Sequence, residues 1–163
     1  MSTVTKTLTL PFLRLNRAKA AEFAKLQALN TRTANTMLAL PKAERRRLTS
    51  KAFAHVEIGS AWINQTIRHA TARTHVKQFQ CLPLETNNQN WPLHKVGATY
   101  SIAFGLLRGI KKRLPLAVHQ ASHQGWLDAM LEGTCVPRDH QVVVLQTRPL
   151  VCLPLGVDGG SRR

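Results

Sequence analysis

The sequence predicts an α+β fold, in which a small antiparallel β-barrel carries a helical segment inserted after its first strand. Three observations favour this fold class. The chain opens with an alternating run that has threonine at every second position. Two stretches with apolar residues at helical spacing follow. Beyond residue 80, short alternating runs are separated by turn residues, which is typical of a β-meander with one buried face.

The opening run, TVTKTLTLPFL, predicts a strand. Threonine favours strands because its branched Cβ restricts the side chain. The residues of the other parity are apolar apart from one lysine: Val4, Lys6, Leu8 and Leu10. Pro11 ends the strand or places it at an edge. The nearest candidate partners lie beyond residue 80, so we expect a non-local pairing.

A long helix is predicted from Asn16 to Leu40, with Asn16 as its N-cap and Pro41 closing it. Alanine is frequent there and has the highest helix propensity. One apolar face consists of Phe23, Leu26, Leu29, Thr33 and Met37.

A second helix is predicted after a break at Gly59, with Ser60 as its N-cap. Its apolar stripe consists of Trp62, Ile63, Thr66, Ile67, Ala70 and Thr74. Trp62 is interpreted as a core residue rather than a platform for stacking bases, because its helix neighbours are apolar.

The meander runs from Cys81 to His119. Tyr100, Ile102 and Phe104 share one face of a strand, and Leu114, Leu116 and Val118 repeat the same period. Gly97 and Gly109 supply the positive φ that tight turns require. Pro92 and Pro115 move their strands towards an edge, because proline cannot donate to the ladder.

The remaining elements are a short helix and two strands. Ser122 is predicted as the N-cap of a helix that ends at Glu132 before Gly133. Its inward residues are Trp126, Leu127, Met130 and Leu131. Strands are expected at Val142–Leu145 and Leu150–Leu155, interrupted at Pro149 and Pro154.

Charge is the strongest signal of function. The formal net charge is +15 and the pI is about 11.1, which implies an anionic partner, most often nucleic acid. Residues 1–80 hold 14 Lys and Arg against 3 Asp and Glu, whereas residues 81–163 hold 9 against 5. A membrane surface is the other candidate, but no run approaches the ~20 apolar residues of a spanning helix. No secretory pattern is present, so we expect a cytoplasmic protein.

Clusters of cations provide the candidate phosphate contacts. A basic connection at the mouth of a small barrel is a known way to bind phosphates. A solvated helix face that keeps the protein soluble is the alternative for the helical cations. The candidates are Arg45, Arg46, Arg47, Lys51, Arg68, Arg73, Lys77, Lys95, Arg108, Lys111, Lys112 and Arg113.

No metal site is expected. Cys81, Cys135 and Cys152 are odd in number and unclustered, which argues against a disulfide framework and against a zinc ribbon. His119 and His123 are four residues apart, but no third ligand is near them in sequence. We expect no cofactor for this chain alone.

The run LPLETNNQNWPLHKVGATYSIAF, followed by a basic turn and RLPLAV, resembles the wedge barrel of the transposon-encoded OrfB/TnpB proteins, which are relatives of type V CRISPR nucleases. The order of strand, helices and further strands is similar too. The resemblance implies a first barrel strand at residues 1–14, a helical recognition-like insertion at 15–80, and the rest of the barrel with one short helix at 81–155.

In that family the barrel leads into a RuvC-like nuclease domain whose first strand carries a catalytic aspartate. The context Gly156-Val157-Asp158-Gly159-Gly160 is similar, which makes Asp158 the one candidate catalytic residue. Two-metal cleavage requires further carboxylates that this sequence lacks. Residues 156–163 therefore resemble either the start of a missing nuclease domain or an irregular tail. Mg²⁺ is implied only if a complete site is assembled.

The resemblance implies a module that binds a structured guide-like RNA, and with it target DNA, without cutting by itself. Two alternatives stay open. One is a basic accessory protein that binds RNA or DNA without a dedicated guide. The other is one part of a split nuclease that works with a complementary fragment or a second subunit.

Overall fold

The structure is a computed structural model that describes residues 4–86, 91–107, 111–137, 140–144 and 149–157. Side chains are described for residues 7–86, 91–107 and 111–135. The elements, in chain order, are β1 (Val4–Pro11), α1 (Arg17–Leu38), α2 (Lys42–Arg45), a 3₁₀ turn (Ser50–Phe53), α3 (Ser60–Ala72), β2 (Glu85–Thr86), β3 (Leu93–Val96), β4 (Thr99–Gly105), β5 (Lys111–Pro115), α4 (Ala121–Leu131), β6 (Val136–Pro137), β7 (His140–Val144) and β8 (Pro149–Val157).

The strands form two antiparallel sheets, and the fold is a mixed arrangement of helices and strands. One sheet has the order β1-β8-β7-β2, with β6 also paired to β8. The other has the order β3-β4-β5. The helices α1 to α3 lie in the chain between β1 and all other strands, as the sequence predicts.

The non-local pairing of the first strand is confirmed. β1 pairs with β8 along its whole length, from Val4 opposite Val157 to Pro11 opposite Leu150. Leu8 and Leu10 are buried, while Thr7 and Thr9 are exposed, as the alternation predicts. Pro11 is the last residue of β1, as predicted.

Backbone hydrogen bonds continue from the end of β1 to the end of β5. Phe12 forms a bridge with Leu116. The Leu13 N–H donates to the Pro115 carbonyl at 2.8 Å, and the Ala117 N–H donates to the Pro11 carbonyl at 2.8 Å. The two sheets thus share one seam. Within the described strands, no ladder joins the outer edges β2 and β3, so the closure of a barrel is not confirmed.

The cap and buried face of α1 follow the prediction. The Asn16 side chain accepts a hydrogen bond from the Lys19 N–H at 2.8 Å, which confirms the N-cap. Phe23, Leu26 and Met37 are buried. The helix ends two residues earlier than predicted, at Leu38.

The predicted cap of α3 is wrong by one position. Gly59 is the N-cap and Ser60 is the first helical residue. Glycine is a common N-cap, and it leaves this helix without a side-chain cap. Thr74 lies beyond the last helical residue, Ala72, and is exposed, so it does not belong to the apolar stripe.

Three aromatic rings join the helical segment to the second sheet. Trp62 is 3% exposed, and its ring centroid lies 5.9 Å from that of Phe104 on β4. The Phe104 centroid lies 6.5 Å from that of Trp91. Trp62 Nε1 also donates to the Gly105 carbonyl at 2.7 Å. The interpretation of Trp62 as a core residue is therefore confirmed.

The N-cap of α4 lies two positions before the predicted one. Gln120 is its N-cap, so Ser122 lies within the first turn and does not cap it. Leu127 is fully buried, but Leu131 is 42% exposed, contrary to the prediction. Leu131 is the last helical residue. Gly133 follows with a φ of 75°, as expected for a residue that ends a helix.

Four further predictions concern glycine and proline. Gly97 has a φ of 59° between β3 and β4, as predicted, and Gly109 lies outside the described residues. Pro115 lies on the edge strand β5. The predicted interruption at Pro154 is wrong, because β8 is continuous. Among the described pairs Pro154 has only Thr7 opposite it, since β7 pairs with residues 149–152 and β6 with 155–156.

Candidate nucleic-acid interface

Arginines from two helices meet at one concavity. Arg46 immediately follows α2, and Arg68 lies on α3. Both are exposed. They share a concavity of about 350 Å³, here called the α2–α3 concavity, which is lined by Arg45, Arg46, Ile67, Arg68, Thr71 and Ala72. Arg46 and Arg68, which are 22 positions apart in the sequence, therefore line the same concavity.

Arg45 has a structural task at this concavity. It is half-buried, and its Nε donates to the Leu40 carbonyl at 2.7 Å. Its Nη2 donates to the Leu38 carbonyl at 2.7 Å. These carbonyls lie at the C-terminal end of α1, where backbone acceptors lack helical partners and a cation is favourable. Arg45 therefore holds α2 against the end of α1.

The neighbouring cations remain accessible. Arg46, Arg47 and Lys51 are exposed, and none forms an ion pair with any residue that the structure describes. Arg68 makes a long hydrogen bond, 3.4 Å from Nη1 to Gln65 Oε1 on its own helix. Their charges are thus available to an anionic ligand.

Arg73 and Lys77 lie on the connection that follows α3, and both are exposed. The guanidinium carbon of Arg73 lies 5.7 Å from the ring centroid of Phe79. Phe79 is held to α1, since its N–H donates to Asn35 Oδ1 at 2.8 Å and Asn35 Nδ2 donates to its carbonyl at 3.0 Å. This anchoring fixes the direction of the whole connection.

A groove of about 700 Å³ lies between α1 and this connection, and the sequence does not predict it. It is lined by Ala24, Gln27, Ala28, Thr31, Arg32, Asn35, Gln78, Phe79, Gln80 and Cys81. Arg32 is an exposed cation at this groove that the sequence-based candidates omit. Because Arg32 lies off the apolar stripe of α1, the sequence indicates that it is exposed. The groove itself exists only because residues 78–81 pack beside α1.

Two candidates on the second sheet are paired with carboxylates. Lys95 Nζ lies 2.7 Å from Asp128 Oδ1, to which the Tyr100 hydroxyl also donates at 2.8 Å. The hydrogen bond from Lys95 lowers the pKa of Asp128, and the hydrogen bond from Tyr100 adds a smaller effect in the same direction. The same pairing with Asp128 raises the pKa of Lys95. Lys112 Nζ lies 3.3 Å from Glu22 Oε1 on α1.

The cations of the predicted basic turn are only partly described. Lys111 and Arg113 are exposed on β5, and Arg108 lies outside the described residues. Lys111 lies near Gly59 and Trp62 at the start of α3, whereas Arg46 lies near Ile67 and Ala72 at its end. The structure therefore separates Lys111 from Arg46 and Arg68, which lie at opposite ends of α3.

The residues with metal or nucleophile chemistry do not converge in the part of the chain that is described. Nowhere there do three His, Cys, Asp or Glu side chains come together. Cys81 is exposed, and Cys135 is buried, which raises the pKa of its thiol. Asp158 lies outside the described residues.

No protein-family model matches the sequence, and no curated protein is found to match it. The interpretation of the interface therefore depends on its charge and geometry. Among the helices that the structure describes, none combines the length and apolar character needed to span a bilayer.

Proposed function

We propose that this chain binds nucleic acid, with structured RNA as its ligand, through exposed cations of the segment from α1 to residue 80. The observation that carries the proposal is the α2–α3 concavity. Two exposed arginines, Arg46 and Arg68, converge there from separate elements, and no described carboxylate pairs with them. The proposed contacts extend to Arg47, Lys51, Arg73 and Lys77.

The chemistry of these contacts favours the phosphate backbone over the bases. Guanidinium groups bind phosphate oxygens in two-pronged geometry. Each phosphate that a cation neutralises releases condensed counterions, which makes binding fall steeply with salt. Folded RNA presents its phosphates and 2′-hydroxyls in a regular A-form shape, which suits recognition by shape with few base contacts.

A finer proposal places this activity in an OrfB/TnpB-like RNA-guided nuclease. The chain would be its wedge and recognition part, with β1 to β8 as a small, partly open barrel that holds guide RNA and target DNA. The order of strand, helices and strands supports it, as does the seam from β1 to β5. Such a module does not cut alone. Cleavage would need Asp158 together with carboxylates and Mg²⁺ assembled with a second polypeptide.

The proposal is tested by the salt dependence of RNA binding. The double variant Arg46→Ala/Arg68→Ala is expected to lower the slope of log affinity against log salt by about 1.4–1.8, because each lost phosphate contact removes ~0.7–0.9. The charge-matched control is Arg14→Ala/Arg17→Ala, which removes two exposed arginines before and at the start of α1. Fluorescence anisotropy with a labelled hairpin RNA measures both. Equal slopes for the two variants would contradict the proposed interface.

Sequencing of co-purified RNA separates the finer proposal from a general accessory role. One defined transcript, retained through a high-salt wash, is expected for a guide-binding module. A broad mixture of cellular RNA would instead identify a basic accessory protein. Recovery of a nuclease fragment with the chain would identify a split nuclease.

A further inference from the structure

A second, smaller pocket lies at the N-terminal end of α3, away from the α2–α3 concavity. Its volume is about 220 Å³, which is room for several water molecules. It lies between the first turn of α3, the ends of β2 and β4, the residue before β3 and the start of β5. The lining residues are Gly59, Ser60, Ala61, Trp62, Thr86, Pro92, Phe104, Gly105 and Lys111.

The helix end at this pocket is uncapped. Gly59 is the N-cap and has no side chain, and the first turn of α3 contains no acidic residue. The Gly59 carbonyl accepts from the N–H groups of Trp62 and Ile63. Among the described residues no backbone carbonyl outside the helix accepts from the N–H groups of Ser60 and Ala61, which leaves them to an outside acceptor. The helix dipole adds partial positive charge at the same place.

Two side chains add to this positive end. Lys111 is exposed, lines the pocket and has no ion pair among the described residues. Thr86 also lines the pocket and is only 2% exposed, yet its hydroxyl has no hydrogen-bond partner in the described part of the chain. A buried hydroxyl without a partner is unfavourable, so Thr86 is an independent indication that a ligand accepts its hydrogen bond.

The walls of the pocket are rigid. Trp62 Nε1 donates to the Gly105 carbonyl, and the Trp62 ring packs on Phe104. These contacts fix the first turn of α3 against the end of β4. A pre-formed pocket binds its ligand without the entropic cost of ordering it.

We propose that this pocket binds one phosphate group of the nucleic acid, an inference that rests on the proposed function. The phosphate oxygens accept from the N–H groups of Ser60 and Ala61, from the Thr86 hydroxyl and from the Lys111 ammonium. Backbone N–H groups at a helix N-terminus are a common phosphate site. The phosphate comes either from a diester within the strand or from a monoester at its end.

The direct test is a titration of the ¹⁵N-labelled protein with inorganic phosphate at constant ionic strength. Saturable shifts are expected at the amides of Ser60, Ala61 and Thr86. They are expected to be lost in Lys111→Gln and kept in Arg113→Gln, which removes an equal charge two residues along β5. Shifts that are absent, or that both variants abolish equally, would overturn the proposal.

Thr86→Val separates binding from folding, because valine keeps the shape and removes only the hydroxyl. Its melting temperature is expected to equal or exceed that of the parent protein, since an unpaired polar group is lost. Its phosphate affinity is expected to fall several-fold. A variant that binds phosphate as tightly as the parent would overturn the proposed site.

RNA binding by the same variants distinguishes this proposal from the proposed function. Lys111→Gln is expected to weaken RNA binding by roughly ten-fold, and Arg113→Gln by much less. If both bind RNA with the parent's affinity and salt slope, the pocket is excluded while the proposed function stands. If the parent protein does not bind RNA at all, the proposed function fails, and the pocket as a nucleic-acid site fails with it. A preference for 5′-phosphorylated over 5′-hydroxyl RNA supports a terminal monoester, and equal affinity supports an internal diester.

Discussion

The α2 region and the β3–β5 sheet with α4 differ in the pairing of their cations. On the sheet, Lys95 is paired with Asp128, and Lys112 is paired with Glu22. In the helical segment, Arg46, Arg47 and Lys51 are exposed and have no carboxylate partner among the described residues. Lys95 and Lys112 are therefore neutralised within the fold, whereas the α2 region, like Lys111 and Arg113 on β5, leaves its charge to the solvent or a ligand.

This difference separates cations that hold the protein together from cations that are free to bind. Unpaired like charges repel one another and destabilise the compact state, so the exposed cations do not serve stability. A lysine that is paired with a carboxylate must lose that ion pair before it can contact a phosphate. The composition of the chain, with its net charge of +15, does not distinguish the two kinds.

The largest expected effect comes from breaking the junction between the two regions. Phe104→Ala is expected to lower the free energy of unfolding by ~3–5 kcal/mol, because Phe104 is 1% exposed and contacts both Trp62 and Trp91. Urea denaturation followed by tryptophan fluorescence measures it. Val96→Ala is the control, since Val96 is 66% exposed and its loss is expected to change stability by less than ~0.5 kcal/mol. Similar losses for both variants would refute the described core.

A smaller effect is expected from Arg45→Ala, which sharpens the comparison between adjacent arginines. Its two hydrogen bonds to the end of α1 are charged, so its loss is expected to cost ~1.5–3 kcal/mol in urea denaturation. Arg46→Ala is expected to leave stability within ~0.5 kcal/mol and to weaken RNA binding. If Arg46→Ala destabilised the protein more than Arg45→Ala, the division between structural and free cations would be wrong.

The smallest effect concerns pH and the Lys95–Asp128 pair. The pKa of Asp128 is lowered in the folded protein, from an ordinary value of 3.8. The pair therefore stabilises the fold above that pH, and the contribution is lost as the pH falls through the lower pKa. Asp128→Asn is expected to show a smaller drop in melting temperature on acidification below pH 3.8 than the parent protein.

Glu132→Gln is the matched control for that measurement, because it removes an exposed carboxylate that forms no ion pair with the described residues. Its acid response is expected to follow that of the parent protein. An unchanged response in Asp128→Asn would show that the pair contributes nothing to stability.

Local features of the fold could be predicted from the sequence because neighbouring residues determine them. The Asn16 cap, the buried Trp62 and the turn at Gly133 depend on short-range patterns. The start of α3 was misplaced by one residue because both Gly59 and Ser60 are good N-caps.

The features that decide function depend on contacts between distant parts of the chain. Lys95 and Asp128 are 33 positions apart, so no local pattern indicates that this lysine is occupied. The role of Arg45 depends on how the chain turns back after α1. The pocket beside Thr86 exists only because α3, β2 and β4 meet, and its unpaired hydroxyl is visible only in three dimensions.

The pairing of β1 with β8 also has a consequence for biosynthesis. A ribosome adds about 5–20 residues per second, so roughly 7–30 seconds pass between the synthesis of β1 and that of residues 149–157. During that interval β1 lacks β8, its ladder partner. Threonine at every second position makes one face of β1 polar, which limits its association with other nascent chains.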